Sequence, residues 1–233
     1  MSIRPRRNNH LRRHELPRIA IIGAGSVIFA KAIISDCLSY PELRESEISL
    51  YDIDAERLRI ADIMARQVAK AWKAEPKVTT ANTPEAALEG ADYVVFMIQV
   101  GGYRPCTVTD FEIPKKYGLR QTIGDTLGIG GIFRALRTIP VMVEYGRIME
   151  RVCPDVFALN YVNPMAMATG AFLQATKIRM VGLCHSVQES HRHLCEAVGV
   201  DPDAVDYHCA GINHMAFYLK LEQEAVSYTH LRA

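Results

Sequence analysis

The residues with the clearest potential for chemistry are a thiol and an imidazole in the last fifty positions. Cys184 stands in Gly-Leu-Cys-His-Ser-Val, and His214 stands in Gly-Ile-Asn-His-Met-Ala-Phe. A thiolate and an imidazole can hold a divalent ion while other coordination positions stay open to a substrate. Spacing alone leaves two interpretations, a metal site or a core thiol beside a turn histidine. Further histidines offer alternative ligands, although His191, His193 and His208 are predicted to lie on helix or strand surfaces.

A second chemical pattern, typical of nucleotide binding, lies near the start of the chain. Gly23, Gly25 and Ser26 form a Gly-x-Gly-Ser turn between a predicted strand and a predicted helix. The first glycine permits the turn, and the second lets a phosphate approach the backbone at the helix N-terminus. Position 28, where a third glycine would complete the usual fingerprint, is isoleucine. Asp52 ends the second predicted strand, where a carboxylate can bond the ribose hydroxyls of NAD and repel the extra phosphate of NADP.

An α/β fold is predicted to position these residues, because predicted strands alternate with helices along the chain. We expect a Rossmann-like, doubly wound, mostly parallel sheet, followed by the beginning of a C-terminal α+β substrate domain. Ligands bind at the carboxyl ends of such strands, where Gly23, Asp52, Gly101, Asn163 and Cys184 are expected. The predicted strands are 18–22, 48–51, 91–100, 156–162, 178–183, 205–210 and 216–221.

The helices carry start signals and apolar faces. Asp54 is predicted to cap a helix that ends near residue 73, and Thr83 with Pro84 indicates the start of another. The stretch 101–131 is predicted to be rich in loops, and a long helix is predicted over 132–152. The predicted buried face of the helix after Asp54 comprises Leu58, Ala61, Ala65, Val68 and Trp72.

Composition argues against several classes of function. The chain has 233 residues, 49% of them hydrophobic, and a net charge of +1, which gives no overall attraction to nucleic acid or membrane. No apolar run approaches the roughly 20 residues of a membrane span. Six cysteines without a Cys-x-x-Cys pair or a secretory signal predict reduced thiols and a cytoplasmic protein. Residues 1–16, rich in arginine, are predicted to be a disordered basic tail.

From about residue 17 to 222 the chain resembles glycoside hydrolase family 4, a family of NAD- and metal-dependent glycosidases. Within that family it is most similar to the bacterial α-galactosidase branch, the melibiase type. Besides the two segments around Cys184 and His214, the resemblance rests on Ile-Gly-Ala-Gly-Ser (22–26), Tyr-Asp-Ile-Asp (51–54), Val-Gly-Gly-Tyr (100–103), Cys-Thr-Val-Thr-Asp-Phe-Glu (106–112), Gly-Asp-Thr-Leu-Gly (124–128), Ala-Leu-Arg-Thr-Ile-Pro (135–140) and Asn-Tyr-Val-Asn-Pro-Met-Ala (160–166).

The resemblance implies a role for individual residues. Cys184 and His214 match the family's metal ligands, usually for Mn²⁺, and Asn163 matches a contact to a substrate hydroxyl. Asp125 matches an acidic position that tunes the catalytic base. His185 stands where the 6-phosphoglucosidase branch has an aspartate that is its proposed acid, and an imidazole can also donate a proton.

The implied reaction is hydrolysis of unphosphorylated α-galactosides by NAD-dependent oxidation at sugar carbon 3, elimination, water addition and re-reduction. The stretch 107–112 resembles members that act on unphosphorylated sugars. Two alternatives stay open at this point. One is an NAD-dependent 2-hydroxy-acid dehydrogenase of the lactate/malate type, and the other is an inactive NAD-binding fragment.

The resemblance also implies a division of the chain. Residues 17–186 are expected to form the NAD-binding domain, 187–222 the start of a substrate and metal domain, and 223–233 a tail unlike the family. Family members continue further and take their catalytic tyrosine from the later part. The chain is therefore expected to be a C-terminally truncated, inactive fragment of a protein that assembles as a homo-oligomer when full length. The expected partner is a glycoside substrate, with no nucleic acid and no membrane.

Overall fold

The computed structural model describes residues 16–224 and 226–229. Six strands form one parallel sheet in the order β3-β2-β1-β4-β5-β6. The order reverses between β1 and β4, which is the switch point of a Rossmann sheet. The predicted Rossmann-like, mostly parallel fold is confirmed. The strands are β1 (Arg18–Ile22), β2 (Glu47–Tyr51), β3 (Lys77–Thr80), β4 (Tyr93–Phe96), β5 (Phe157–Asn160) and β6 (Arg179–Gly182).

Helices cover both faces of this sheet and produce two buried cores. One core includes Phe96, Met149 and Phe172, and the other includes Ile34 and Leu50. Because successive residues of a strand point to opposite faces, strands buried on both sides consist of continuous apolar runs. The helices are α1 (Val27–Ser39), α2 (Ala55–Trp72), α3 (Pro84–Leu88), α4 (Val108–Lys115), α5 (Gly128–Val152), α6 (Met165–Ala175) and α7 (Ser186–Val198).

Both predicted helix caps are confirmed. The Asp54 carboxylate accepts hydrogen bonds from the backbone N–H groups of Glu56 and Arg57, each at 3.0 Å. The Thr83 hydroxyl accepts one from the N–H of Ala86 at 3.3 Å. These bonds satisfy N–H groups that the first helical turn leaves without a partner.

Several sequence-based predictions were wrong in detail. The predicted strand 91–100 is shorter, since β4 ends at Phe96 and the chain then turns into a loop with positive φ at Gly101. Trp72 was predicted to be buried, but it is 38% exposed, and its ring N–H bonds the Ser35 hydroxyl at 2.8 Å. Ala69 takes its place on the buried face of α2. The stretch 101–131, predicted to be rich in loops, also contains the helix α4.

A smaller antiparallel sheet follows α7 and matches the predicted start of a second region. It consists of β7 (Asp206–Ile212), β8 (Met215–Gln223) and β9 (Val226–Ser227). Its inner face packs on α7 through a small core of Cys195, Val205 and Leu221. The predicted domain boundary at residues 186/187 stays a prediction. Residues 1–15 of the predicted N-terminal tail, and 225 and 230–233 of the predicted C-terminal tail, lie outside the described residues. Within the described ranges, no helix combines the length and apolarity that crossing a membrane requires.

Candidate active site

The glycine turn after β1 is fixed by its neighbours on both sides. Gly23 has φ +89°, a conformation that favours glycine. The N–H groups of Gly23 and Ala24 both donate to the Tyr51 carbonyl, at 2.9 and 3.0 Å. A Cβ on Gly23 would lie 2.8 Å from the backbone of Met97. The turn is therefore held between the carboxyl ends of β2 and β4.

Asp52 is bound into the same turn. Its Oδ2 accepts a hydrogen bond from Gly25 N–H at 2.8 Å, and its Oδ1 accepts one from Asp54 N–H at 2.9 Å. A Cβ on Gly25 would lie 2.6 Å from Asp52 Oδ2, so only glycine permits this approach. The structure thus brings together the glycine turn and the carboxylate that the sequence predicts as the dinucleotide site.

The N-terminus of α1 is open to a ligand. Ser26 precedes the helix, but no side chain caps it and no acidic residue lies in its first turn. Ile28 is 81% exposed at the same helix end. Free N–H groups and the helix dipole favour an anion at such a position. The turn, the uncapped helix and Asp52 therefore fit a dinucleotide, whose pyrophosphate would lie at α1 and whose ribose would lie near Asp52.

Cys184 and His214 come from separate elements and meet at the carboxyl edge of the parallel sheet. Cys184 follows β6, and His214 lies at the tip of the hairpin between β7 and β8. The distance from Cys184 Sγ to His214 Nε2 is 3.7 Å. For zinc, bonds of about 2.3 Å to sulfur and 2.0–2.1 Å to nitrogen at a tetrahedral angle place the two ligand atoms about 3.6 Å apart. The pair therefore fits two ligands of one divalent ion.

The hairpin tip combines an uncommon backbone conformation with buried polar atoms that lack hydrogen-bond partners among the described residues. His214 has φ +63°, which is uncommon for a residue with a side chain. The buried atoms His214 Nδ1 and Asn213 Oδ1 have no hydrogen-bond partner among the described residues. Across residues 16–224 and 226–229 there is no cluster of three or more histidine, cysteine, aspartate or glutamate side chains suited to a metal. The fit to a metal thus rests on two protein donors.

The remaining histidines differ in their environments. His185 is exposed, and its Nε2 lies 3.3 Å from Glu189 Oε2 one turn along α7. His193 and His208 are exposed, as predicted. The prediction of an exposed His191 was wrong, because it faces inward on the amphipathic α7. Its Nε2 lies 3.4 Å from Cys195 Sγ, and its ring packs on Tyr207 with the centroids 4.3 Å apart.

Asp125 forms an ion pair that the sequence did not predict. Its Oδ2 accepts a hydrogen bond from Arg134 Nη1 at 2.9 Å, and the side chain of Arg134 is only 10% exposed. Burial lowers the pKa of Arg134, with a smaller opposing effect from the Asp125 charge. The available signal was a pair of arginines spaced three residues apart in the mostly apolar first half of α5.

Arg137 is the second of these arginines and was also missed. It donates to both carboxylate oxygens of the buried Asp110, at 3.1 and 2.7 Å, and to the Val100 carbonyl at 3.1 Å. Hydrogen bonding to Asp110 raises the pKa of Arg137. The two ion pairs attach α4 and the loop before α5 to the first turns of α5.

That loop faces the hairpin tip across a cavity of about 270 Å³. The residues that line it are Gln121, Thr122, Ile123, Leu127, Gly128, His214 and Met215. Asp125 belongs to the same loop but is not in the lining, because its carboxylate is bonded to Arg134. The structure therefore brings the loop close to His214, and it directs the Asp125 carboxylate to α5.

Asn163 is half-buried in the turn between β5 and α6, at the same edge of the sheet. The turn is shaped by Asn160, a buried residue that the sequence analysis missed. Asn160 Oδ1 accepts from Val162 N–H at 2.8 Å, and its Nδ2 donates to the Thr169 hydroxyl at 3.0 Å. A polar side chain at the end of an apolar strand was the signal that could have indicated it.

The strand order, the glycine turn and the thiol–imidazole pair define a Rossmann-like protein with a candidate metal-binding edge. A model of the family 4 glycosyl hydrolases matches residues 18–200. The chain belongs to this family.

Curated relatives and a solved structure agree with this assignment. An alpha-galactosidase of Bacillus subtilis is 49% identical over 209 residues, which are 90% of this chain and 48% of the relative. An alpha-galactosidase of Rhizobium meliloti is 39% identical over 87% of this chain and 41% of its own. The 6-phospho-beta glucosidase of Thermotoga maritima, solved with manganese, NAD⁺ and glucose-6-phosphate, is 28% identical, with a TM-score of 0.76 over 91% of this chain and 50% of its own. The chain thus spans about half the length of the relatives it matches, or less.

Proposed function

We propose that the whole protein is a glycosidase that hydrolyses unphosphorylated α-galactosides with NAD⁺ and Mn²⁺. The observation that carries the proposal is the meeting of Cys184 and His214, which lie 30 positions apart in the chain, with 3.7 Å between Sγ and Nε2. The two similar alpha-galactosidases support the choice of sugar and anomer.

The glycine turn and α1 would hold the cofactor. The free N–H groups in the first turn of α1 would bind the pyrophosphate, beside Ser26. Asp52 would bind the ribose hydroxyls, and its negative charge would disfavour the 2′-phosphate of NADP. Asp52 already accepts a bond from Gly25, so ribose and pyrophosphate recognition would be linked in one hydrogen-bonded unit.

Cys184 and His214 would hold the metal ion and leave positions open for sugar oxygens. NAD⁺ and Mn²⁺, when bound, supply reversible hydride acceptance at sugar carbon 3 and stabilisation of negative charge on the neighbouring oxygens. Asn163, at the same edge, would bind a substrate hydroxyl. His185, exposed beside Cys184, would donate a proton to the leaving glycosidic oxygen. Asp125 would act on the catalytic base through its loop, fixed by the pair with Arg134.

The decisive experiment assays the whole protein with NAD⁺ and Mn²⁺ on nitrophenyl α-galactoside, its α-glucoside counterpart and its 6-phospho counterpart. We expect cleavage of the unphosphorylated galactoside without net formation of NADH. Cys184→Ser and His214→Ala should abolish cleavage, whereas His193→Ala, an exposed histidine on α7, should not. Net formation of NADH when a 2-hydroxy acid replaces the glycoside would instead indicate the 2-hydroxy-acid dehydrogenase. Preference for the phosphorylated sugar would move the protein to another branch of the family.

Cofactor choice is tested separately by titrating NAD⁺ and NADP⁺. We expect tighter binding of NAD⁺. Asp52→Ala should weaken it by about 1.5–3 kcal/mol, the value of charge-assisted hydrogen bonds, and should reduce the discrimination. Asp52→Asn keeps the size of the side chain but removes its charge and one of its two acceptor oxygens, so it separates the loss of packing from the loss of charge and hydrogen bonding. Tighter binding of NADP⁺ would contradict the role of Asp52.

Homo-oligomeric assembly, a cytoplasmic location and the absence of nucleic-acid or membrane partners complete the proposal. Light scattering on the whole protein tests the assembly.

A further inference from the structure

The sulfur of Cys184 has two polar neighbours that belong to one residue. The Ser186 hydroxyl oxygen lies 3.1 Å from Sγ, and the Ser186 backbone N–H donates to the same sulfur at 3.4 Å. His214 Nε2 is the third polar neighbour, at 3.7 Å. Cys184 and Ser186 are both half-buried, while His185 between them is exposed. Ser186 therefore faces the sulfur, and the intervening side chain faces solvent.

The hydroxyl of Ser186 has no role in starting α7. Ser186 is the first residue of the helix, and the preceding position makes no side-chain capping bond. Its backbone N–H is one of the groups that a helix leaves without an internal partner. The backbone N–H and the hydroxyl of Ser186 are thus both directed at Cys184. Removal of the hydroxyl would leave the hydrogen bonds within α7 intact.

A sulfur that binds a metal is a thiolate, which accepts hydrogen bonds but cannot donate one. A serine hydroxyl rotates freely and can donate to it. Bonds of this kind fix the direction in which a ligand presents its remaining lone pairs, and their loss typically costs 10–100-fold in metal affinity. Two donors from Ser186 would leave the side of the sulfur near His214 for the ion.

We propose that Ser186 is a positioning residue of the metal centre, which holds the Cys184 sulfur so that it and His214 Nε2 bind one divalent ion. This inference rests on the metal site of the proposed function. The sequence pattern alone assigns Ser186 no role.

The test uses Co²⁺, which binds sulfur and nitrogen ligands more strongly than Mn²⁺ and gives a near-ultraviolet charge-transfer band when a thiolate coordinates it. The whole protein is titrated with Co²⁺, and the intensity of the band reports both the metal affinity and the coordination of the sulfur. We expect Ser186→Ala to weaken binding by about 10–100-fold. We also expect the band to move to longer wavelength, because a lost hydrogen bond raises the energy of the sulfur electrons. Ser186→Thr should restore both properties, and Ser190→Ala, an exposed serine on the same helix, should change neither.

The outcomes separate this inference from the proposed function. An unaltered protein without the band, or a band that survives Cys184→Ser, contradicts the metal site and the role of Ser186 with it. A normal band in the unaltered protein, with unchanged affinity and wavelength in Ser186→Ala, overturns the role of Ser186 alone. Weaker binding without a shift of the band, or failure of Ser186→Thr to restore it, also overturns that role, because the hydroxyl bond would then not be the cause.

Discussion

The parallel sheet and the small antiparallel sheet differ in how completely they bury their apolar residues. In the parallel sheet, Ile22, Leu50 and Phe96 are at most 1% exposed, and helices cover both faces. In the antiparallel sheet, only the inner face is covered, by α7. The outer face of β7 and β8 exposes Ile212, Met215, Phe217 and Leu219, by 50–64%.

The proposed metal site therefore joins two regions that differ in how tightly they are packed. Cys184 follows β6 of the well-packed sheet, whereas His214 lies at the tip of the hairpin in the weakly packed one. Regions with few buried apolar contacts open at lower free energy than densely packed ones. The position of the imidazole is therefore expected to be less rigid than that of the thiol.

The largest expected contrast comes from truncating one phenylalanine in each sheet. Phe96→Ala should lower the free energy of unfolding by about 3–5 kcal/mol, because a buried ring leaves a cavity. Its ring meets those of Tyr145 and Phe172 edge-on, with the centroids 5.7 and 6.3 Å away. Phe217→Ala, at 64% exposure, should change it by no more than about 0.5 kcal/mol. Urea unfolding of both variants measures this, and equal losses would refute the contrast.

The ion pair between Asp125 and Arg134 should have an intermediate effect. Asp125→Ala leaves the Arg134 guanidinium buried without its partner, which should cost about 2 kcal/mol. The value falls below that of a fully buried pair because the Asp125 side chain is 33% exposed. Glu112→Ala, which breaks the exposed pair with Lys115, should cost less than about 1 kcal/mol. Thermal unfolding of both variants measures the two losses of stability. Similar decreases in Tm would mean that the burial of Arg134 does not increase the contribution of its ion pair.

Helix caps allow a smaller comparison between the two regions. Asp54→Ala removes two hydrogen bonds from the first turn of the long helix α2 and should cost about 1 kcal/mol. Asp201 makes one such bond, to Asp203 N–H at 3.1 Å, at a three-residue turn before β7. Asp201→Ala should therefore cost less than Asp54→Ala. Asp54→Asn, which keeps an acceptor, is the control, and a loss as large as that of Asp54→Ala would contradict the capping explanation.

The last comparison is the response to alkaline pH, which has no effect on stability at neutral pH. Burial raises the pKa of Cys153, in the parallel region, from 9.0 to about 11. Burial also raises the pKa of Tyr218, in the small sheet, from 10.0 to about 12. Both groups hold their proton more tightly when folded, so their contribution is complete below the unfolded pKa and is lost as pH rises towards the folded pKa. Stability should fall between pH 9 and 11 through Cys153 and between pH 10 and 12 through Tyr218.

This pH response is checked by unfolding at each pH. Cys153→Ala should remove the fall that begins at pH 9, and Tyr218→Phe should remove the one that begins at pH 10. At pH 10, one unit above the unfolded pKa of 9.0, the loss through Cys153 should be about 1.4 kcal/mol. A stability that is flat up to pH 11 in the unaltered protein would contradict the burial of the Cys153 thiol.

The central strands and most helices were predictable because they bury one or both faces and so carry strong apolar patterns. Two elements of the parallel region lacked that signal. In β3 only Val78 of four residues is buried, and α4 contains Pro114 and has little apolar asymmetry. Local patterns do not record such elements, whose position depends on what they pack against.

The candidate site was predictable only where a local motif describes it. The glycine turn, Asp52 and the segments around Cys184 and His214 could all be read from the sequence. Local patterns mark Arg134, Arg137 and Asn160 as unusual but do not identify their roles, because their partners lie at other positions along the chain and each role depends on burial that only the fold provides. For the same reason the sequence predicted Asp125 but not the direction of its carboxylate.

The left-handed backbone conformation of His214 implies a trade-off between thermal stability and activity at a single position. A side chain in this conformation carries a cost of about 1–2 kcal/mol that glycine would avoid. A screen for variants of higher thermal stability should therefore select His214→Gly. That substitution removes the residue that we propose as a metal ligand. Selection for thermal stability alone would therefore produce a more stable hairpin that can no longer supply the imidazole ligand.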